Sequence, residues 1–296
     1  MVNESLQSVW GRNGATIVSL LLLSLFHLGL SALQGVAHAA GGDQPVSMVK
    51  EESIAEGVKA VIEDAKALAI APLNMDRYDA LKLGGAMAVV GGMFAADPSI
   101  RNLVNRNQST TGKDVTDGLS TFGSAGTLAG FNAGVIAIGL VRESYGGDST
   151  WKEAGLVSLE AEAFAVAATA VLKEITGRAR PEANQGSTHF RPFTGLSSSF
   201  ASSSAAASFA VATVFAERFD SPAVGLVAYG LAAAVAGSRV YTNKHFASDV
   251  VVGSLIGWGL GHFINRRHSG DPTDWQVQPM TMERGTGGGL MLGRKF

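Results

Sequence analysis

Cationic side chains, a histidine and a carboxylate stand where two long apolar stretches of the sequence end. The first group contains Lys173 and Arg180, and the second contains Arg239, His245 and Asp249. Arginine offers a planar fork of donors and lysine a point charge, a pairing suited to phosphate oxygens. These positions therefore predict a phosphate clamp. The alternative is that the cations only favour helix C-termini through the dipole.

The histidine and the carboxylate of the second group predict nucleophilic or general-base chemistry. His245 and Asp249 are four residues apart at the start of a predicted helix, so that they would share one face. A carboxylate one turn away can hold an imidazole in one tautomer and raise its basicity. The alternative is a purely structural His–Asp pair.

A run of small hydroxyl residues precedes another predicted helix. It contains Ser202, Ser203 and Ser204. A helix needs one serine as an N-cap. The remaining serines predict an anion cradle made of hydroxyls and of the backbone N–H groups at the helix start.

Helical periodicity dominates the elements that must position these residues, and almost no β pattern is present. The predicted class is all-α, a bundle of six or more helices. A helix over 77–96 is expected to stop before Asp97-Pro98, and one continuous helix is expected over 114–142. Further helices are predicted over 54–70, 150–175, 202–218, 221–237 and 245–267. The irregular segment 178–199 is long enough to indicate a functional loop.

The amino-terminal region has the features of an exported protein. An apolar stretch over 15–30 is followed by Ala37-His38-Ala39, which fits a signal-peptidase site. The sequence thus predicts a signal peptide over 1–39, with an uncleaved anchor as the alternative. A linker over 40–50, a helical domain over 51–267 and a Gly-rich tail over 268–296 follow. The expected location is periplasmic or membrane-associated.

The composition of the chain excludes several classes of function. The 296 residues carry a formal net charge of -2, so no global basic field indicates nucleic acid as a partner. The absence of Cys excludes disulfides and thiol catalysis. Most apolar runs are shorter than the roughly 20 residues of a membrane span. They are interpreted as buried helices of a soluble or membrane-associated bundle, with integral inner-membrane spans as the alternative.

The spacing of the two cationic segments resembles that of the type 2 phosphatidic acid phosphatase family. The resemblance covers roughly 156–262. The site of that family is similar to the sites of bacterial class A acid phosphatases and vanadium haloperoxidases. The family's first segment is Lys, six residues, Arg-Pro, and its third is Ser-Arg, five residues, His, three residues, Asp. Both are matched in full, by Lys173, Arg180, Pro181, Ser238, Arg239, His245 and Asp249.

The second segment of the family, Pro-Ser-Gly-His, is not conserved in this chain. Here it reads Ala201-Ser202-Ser203-Ser204, so that Ser204 stands where the family has a histidine that protonates the leaving alcohol. Loss of a general acid is expected to slow poor leaving groups on the order of 10²–10⁴-fold. The chain is then an attenuated relative, a deliberately altered sequence, or an enzyme with another acid. For that last case the candidate is His189, in the loop 178–199.

The resemblance implies a role for each matched residue. His245 would attack phosphorus and form a phospho-histidine, and Asp249 would orient it. Lys173, Arg180 and Arg239 would hold the phosphoryl oxygens, with further donors from Ser202 and from the amides of Ser203 and Ser204. No metal or other cofactor is implied.

The expected function is hydrolysis of a phosphate monoester, such as a lipid phosphate, an isoprenyl pyrophosphate or a small soluble ester. The first alternative is a non-catalytic phosphate-binding relative, and a vanadate-dependent peroxidase is a weaker one. The tail ends in an apolar segment, 290–296, interpreted as a surface extension rather than as an outer-membrane signal.

Overall fold

The helices of this chain form one bundle. The computed structural model describes residues 51–71, 75–193, 198–269, 276–281 and 288–293. The predicted signal peptide (1–39) and linker (40–50) lie outside these ranges. Within them the all-α prediction is confirmed, with helices α1 Glu51–Ile70, α2 Arg77–Arg106, α3 Thr110–Phe122, α4 Ala125–Ser144, α5 Thr150–Thr176, α6 Ser203–Arg218, α7 Pro222–Tyr241 and α8 Ala247–His268. A 3₁₀ turn covers Pro181–Ala183.

Helix α6 lies at the centre and packs against α5, α7 and α8. Its buried face is made almost entirely of small residues. Alanines allow helix backbones to approach closely, which suits a bundle without large core side chains. The main core cluster consists of Val157, Ala161, Ala165, Ala206, Ala210, Val214, Leu260 and Ile264.

Glycines at every fourth position of α8 bring it against α6. A side chain at Gly253, Gly257 or Gly261 would meet the carbonyl oxygens of Ser202, Ala206 or Ala210. The two backbones are therefore in direct contact over two turns. This contact fixes the start of α8 beside the start of α6, where the predicted site residues lie.

The helix boundaries differ from the sequence-based prediction in two places. Helix α2 continues through Pro98 as far as Arg106. A proline in a helix interior removes one hydrogen bond, and here the buried side chain of Asp97 is fixed by contacts with other elements that offset this loss. The helix predicted over 114–142 is two helices, because Ser124 caps a new one by accepting from the Thr127 N–H.

Among the described residues, five helices are long and apolar enough to cross a membrane: α2, α4, α5, α7 and α8. The interpretation of the apolar runs as buried is wrong for α2, since 6% of its most apolar window is buried in the bundle. Large apolar side chains point outward on α2 and α7, including Leu81, Met87 and Leu226. Exposed apolar side chains on helices of this length are suited to contact with lipid, so the chain has the features of a membrane protein.

The carboxyl-terminal tail contains a two-stranded antiparallel hairpin that the sequence did not predict. Strand β1 covers Gln276–Thr281 and β2 covers Gly288–Gly293. The register pairs Gln276 with Gly293 and Thr281 with Gly288. The glycines and the shortness of each run hide the alternating pattern that identifies a strand.

Candidate active site

Lysine and arginine from one helix end form the first part of the site. Lys173 lies in the last turn of α5 and is 7% exposed, and its Nζ donates to the Ser198 carbonyl oxygen at 2.9 Å. Gly177 ends the helix in the left-handed conformation (φ 56°), which a residue with a side chain rarely adopts. The chain reverses there and carries Arg180 back toward Lys173.

The second part is the tight connection between α7 and α8. The carbonyl oxygen of Arg239, in the last turn of α7, accepts from the N–H groups of Lys244 and His245, both at 3.1 Å. These bonds hold the histidine directly beside the arginine. The Arg239 Nε is buried and has no hydrogen-bond partner, as expected of a guanidinium that receives an anion.

Positive charge converges on His245. Burial is the main cause of a pKa well below 6.5 for this imidazole, and the charges of Lys173 and Arg239, followed by that of Arg180, act in the same direction. Three cations from two separate segments are thus close enough to act on one ring. The ring is therefore neutral at pH 7.

One hydrogen bond fixes the tautomer of this neutral ring. The His245 Nδ1 lies 2.6 Å from the carbonyl oxygen of Ser199. A carbonyl oxygen accepts and never donates, so Nδ1 carries the proton. The lone pair is then on Nε2, which is the nitrogen available for attack on an electrophile.

Asp249 does not hold the imidazole as the sequence spacing predicted. Phe246 is the N-cap of α8, so His245 precedes the helix and does not share a helical face with Asp249. Among the described residues, the Asp249 carboxylate accepts from the Phe246 N–H at 2.7 Å and from the Ser199 hydroxyl at 2.5 Å. Asp249 therefore acts on the imidazole only indirectly, through its hydrogen bonds with Ser199 and Phe246.

A buried arginine that sequence reasoning did not place in the site supports Asp249. Arg178 is fully buried and donates to Asp249 at 2.5 Å and to Asp97 at 2.7 Å. Its guanidinium lies between the rings of Phe94 and Phe246, 4.4 and 4.3 Å from their centres. We call Arg178, Asp97 and Asp249 the buried clasp. It ties α2, the loop after α5 and the start of α8 together behind the imidazole.

The serines at the start of α6 lie against the same region. Ser202 is the N-cap, its N–H donates to the Asp249 carbonyl oxygen at 3.0 Å, and its hydroxyl accepts from the Ala205 N–H. The Ser203 hydroxyl bonds with that of Thr169 at 3.0 Å. Ser204 is half-buried in the first turn. The amides of Ser203 and Ser204 belong to the first turn, where N–H groups have no partner within the helix.

His189 lies in the loop after α5, opposite Ala179. Its carbonyl oxygen accepts from the Ala179 N–H at 2.9 Å, within a short antiparallel bridge formed by Arg178 and Phe190. The His189 Nε2 is buried without a hydrogen-bond partner. Its role as a substitute acid stays a prediction.

A possible metal-ligand group, which the sequence spacing did not reveal, forms elsewhere in the bundle. Among the described residues, Asp64, Glu160 and His268 are the group whose ligand atoms lie within 4.8 Å of one another. The His268 Nε2 lies 2.9 Å from Asp64 and 3.0 Å from Glu160, and Arg267 also donates to Asp64. The arginine opposes a metal ion there. His268 ends α8, about 30 Å along the helix from the His245 end.

Comparisons with protein families and with solved structures found similar proteins. Residues 154–270 match the model of the PAP2 superfamily. The fold is similar to a crystal structure described as the first transmembrane PAP2 type phosphatidylglycerolphosphate phosphatase from Bacillus subtilis. That match has a TM-score of 0.50 and 20% identity and covers 63% of this chain and 95% of the other. Comparison with curated protein sequences gave no significant match.

Proposed function

Since this chain belongs to the PAP2 superfamily through residues 154–270, we propose that it hydrolyses phosphate monoesters through a phospho-histidine at His245. The hydrogen bond from the His245 Nδ1 to the Ser199 carbonyl oxygen carries the proposal. It leaves the Nε2 lone pair available beside three cations, which is the arrangement that in-line attack on phosphorus requires.

The first step breaks the ester bond. The Nε2 lone pair forms a bond to phosphorus while the P–O bond to the alcohol breaks, and that oxygen leaves with the bonding electrons. Lys173, Arg180 and Arg239 bind the three phosphoryl oxygens and offset the charge that develops on them. Nδ1 keeps its proton and its bond to Ser199.

The second step restores the enzyme. Water attacks phosphorus, the P–Nε2 bond breaks and its electrons return to Nε2. The attacking water transfers one proton to the solvent, and inorganic phosphate leaves. Asp249 is a positioning residue in both steps, because it contacts Ser199 and Phe246, which fix the ring.

The departing oxygen needs a proton, and the first turn of α6 offers only hydroxyls for this purpose. Ser204 is a poor acid, so the proposed activity is attenuated for alcohols and stronger for aryl phosphates and pyrophosphates, which leave without protonation. His189, whose buried Nε2 has no partner, is the proposed substitute acid.

The proposed substrate is a phosphorylated lipid, because the cationic site lies where membrane-crossing helices end. The Bacillus protein, whose description names a lipid phosphate as substrate, has the same fold. The proposed location of the site is the exported side of the membrane. Non-catalytic phosphate binding is the second candidate function, favoured by Ser204 alone.

The test is hydrolysis of p-nitrophenyl phosphate by the purified protein in detergent, beside three variants. We expect slow turnover by the parent, none by His245→Ala, and an increase on the order of 10²-fold or more with an alkyl phosphate in Ser204→His. A decrease in His189→Ala with an alkyl phosphate, while hydrolysis of p-nitrophenyl phosphate is retained, would identify the substitute acid. Inactivity of both the parent and Ser204→His, with retained binding of inorganic vanadate, would establish the non-catalytic function.

A further inference from the structure

An apolar groove opens from the side of the bundle toward the lipid. It lies between α4 and α7, has α6 as its floor, and has a volume of about 400 Å³. We call it the lateral groove. Its edges include the exposed side chains of Phe131 on α4 and Val227 and Leu231 on α7. A cleft with apolar walls and an open side suits a hydrocarbon chain that arrives from the bilayer.

One polar atom in the groove has no partner. Ser208, on α6, lines the groove and is 6% exposed, and its hydroxyl makes no hydrogen bond. Serines in helices usually donate to a carbonyl one turn earlier, and this one does not. An unpaired hydroxyl is costly where water is excluded. The position thus suits a ligand that brings a hydrogen-bond acceptor into an otherwise apolar groove.

The groove begins close to the phosphate site. Ser208 is six residues after Ser202 on α6, about 9 Å along the axis. Val235, which lines the groove, is one turn before Arg239 on α7, about 6 Å away. From Val235 the lining extends to Ala223, about 18 Å further and more than half of the hydrocarbon thickness of a bilayer.

We infer that the lateral groove holds one acyl chain of an ester-linked lipid phosphate, and that Ser208 donates to the ester carbonyl of that chain. The inference rests on the proposed function. A phosphate at Arg239 and His245 places the first polar group of a glycerolipid one to two helical turns below it, at the depth of Ser208. An isoprenyl phosphate has no acceptor at this depth and would leave the hydroxyl unpaired.

Blocking the groove tests the place of the chain. Ala228 lines the groove, and Ala233, on the same helix, is exposed to lipid and does not line it. With dioleoyl phosphatidic acid in mixed micelles, we expect Ala228→Phe to lower kcat/KM on the order of tenfold and Ala233→Phe to leave it unchanged. Both variants should hydrolyse p-nitrophenyl phosphate as the parent does. Equal activity of the two variants on the lipid would overturn the inference.

Removing the hydroxyl tests the recognition of the ester. Ser208→Ala is expected to lower kcat/KM about fivefold for phosphatidic acid, which has two acyl ester bonds. This decrease corresponds to the loss of one neutral hydrogen bond. The same variant should leave kcat/KM unchanged for the dialkyl ether analogue of equal chain length and for farnesyl phosphate. A uniform decrease for all three substrates would contradict a role in ester recognition.

A binding measurement separates this inference from failure of the proposed function. His245→Ala is irradiated in micelles with phosphatidic acid that carries a mid-chain diazirine, and the labelled peptides are identified by mass spectrometry. Labelling of α4 and α7 at the groove, reduced by unlabelled phosphatidic acid but not by phosphatidylcholine, supports the inference even without turnover. Even labelling of all lipid-facing helices shows boundary lipid only and overturns it.

Discussion

At the scale of single residues, the His245 ring is held by an acceptor on one nitrogen and surrounded by positive charge. The Ser199 carbonyl oxygen fixes the proton on Nδ1. Burial and the charges of Lys173 and Arg239 oppose a second proton on the ring. The free histidine would be partly protonated below about pH 6.5, whereas this one stays neutral and nucleophilic in mildly acidic solution.

We expect the acid limb of the pH–rate profile to lie well below pH 6.5. The folded pKa of His245 is lowered, so Nε2 gains a proton, and attack is lost, only as the pH falls through that lowered value. The measurement is kcat/KM for an aryl phosphate between pH 4 and 8. Lys173→Met, which removes one of the charges, should move the limb toward higher pH. An acid limb at or above 6.5 would contradict this electrostatic account.

The same shift affects stability in a defined direction. The unfolded chain takes up a proton at about pH 6.5, whereas the folded one does not until the lowered pKa is reached. The contribution of His245 to the free energy of unfolding is therefore complete above pH 6.5. It decreases as the pH falls toward the folded pKa.

At the scale of the helices, the buried clasp connects α2 to α8 through the loop after α5. Arg178 forms ion pairs with two buried carboxylates, Asp97 and Asp249, and Asp97 also accepts from the Ser248 N–H and hydroxyl at 2.9 and 2.6 Å. The two carboxylates share one cation and each accepts further hydrogen bonds, which helps buried ions to tolerate the loss of water.

Loss of the arginine should destabilise the whole bundle. Arg178→Met leaves two buried carboxylates without their cation, for which we expect a loss of about 3–5 kcal/mol in the free energy of unfolding. The control is Arg142→Met, because the ion pair of Arg142 with Asp148 is exposed to solvent and is expected to add little to stability. Thermal unfolding in detergent measures both. Similar melting temperatures for the two variants would show that the clasp is not essential to the fold.

The close contact of α6 and α8 depends on the absence of side chains at defined glycines. A methyl group at Gly257 would meet the backbone of Ala206, whereas one at Gly259, on the same helix, would meet nothing within 4 Å. Overpacking is destabilising, and alanine in an open helical position is favourable.

We therefore expect opposite effects of the same change two residues apart. Gly257→Ala should destabilise the protein by about 1–3 kcal/mol, and Gly259→Ala should stabilise it by up to about 1 kcal/mol. Because His245 stands two residues before the first residue of α8, Gly257→Ala should also reduce phosphatase activity. Urea-dependent unfolding followed by far-UV circular dichroism compares the two. Equal stability would mean that α6 and α8 separate without cost.

At the scale of the whole molecule, the sequence indicated which cations and which histidine share one region, whereas the contacts that hold the histidine were not predictable. The spacing of Lys173, Arg180, Arg239 and His245 indicated a shared anion site, because lysine, arginine and histidine are recognisable by type. Ser199 gave no such signal, since it holds the imidazole through a carbonyl oxygen that every residue possesses.

Two further features were hidden by local signals. The Asp97-Pro98 pair indicated the end of a helix. In the structure Asp97 is a member of the buried clasp and lies within the continuous helix α2. Glycines and serines interrupt the apolar runs, and these runs are part of helices long enough to cross a membrane. In lipid such small residues favour close helix packing, so they do not argue against a span.

A cluster of buried polar side chains joins two helices of the bundle. Glu162 on α5 is 2% exposed, and its Oε2 accepts from the Asn132 amide of α4 at 3.0 Å, while Ser158 donates to the same asparagine at 2.7 Å. These three residues join α4 to α5 far from the phosphate site. Interhelical hydrogen bonds of this kind replace water where none is present.

The lateral groove between α4 and α7 determines which measure of substrate concentration applies to this protein. A substrate that enters from within the bilayer is never dissolved around the enzyme, and its encounters take place in two dimensions. For the proposed lipid phosphate, the reaction rate then follows the mole fraction of that lipid among the lipids around it. Addition of inert lipid at constant substrate would slow the enzyme, although the amount of substrate per volume had not changed.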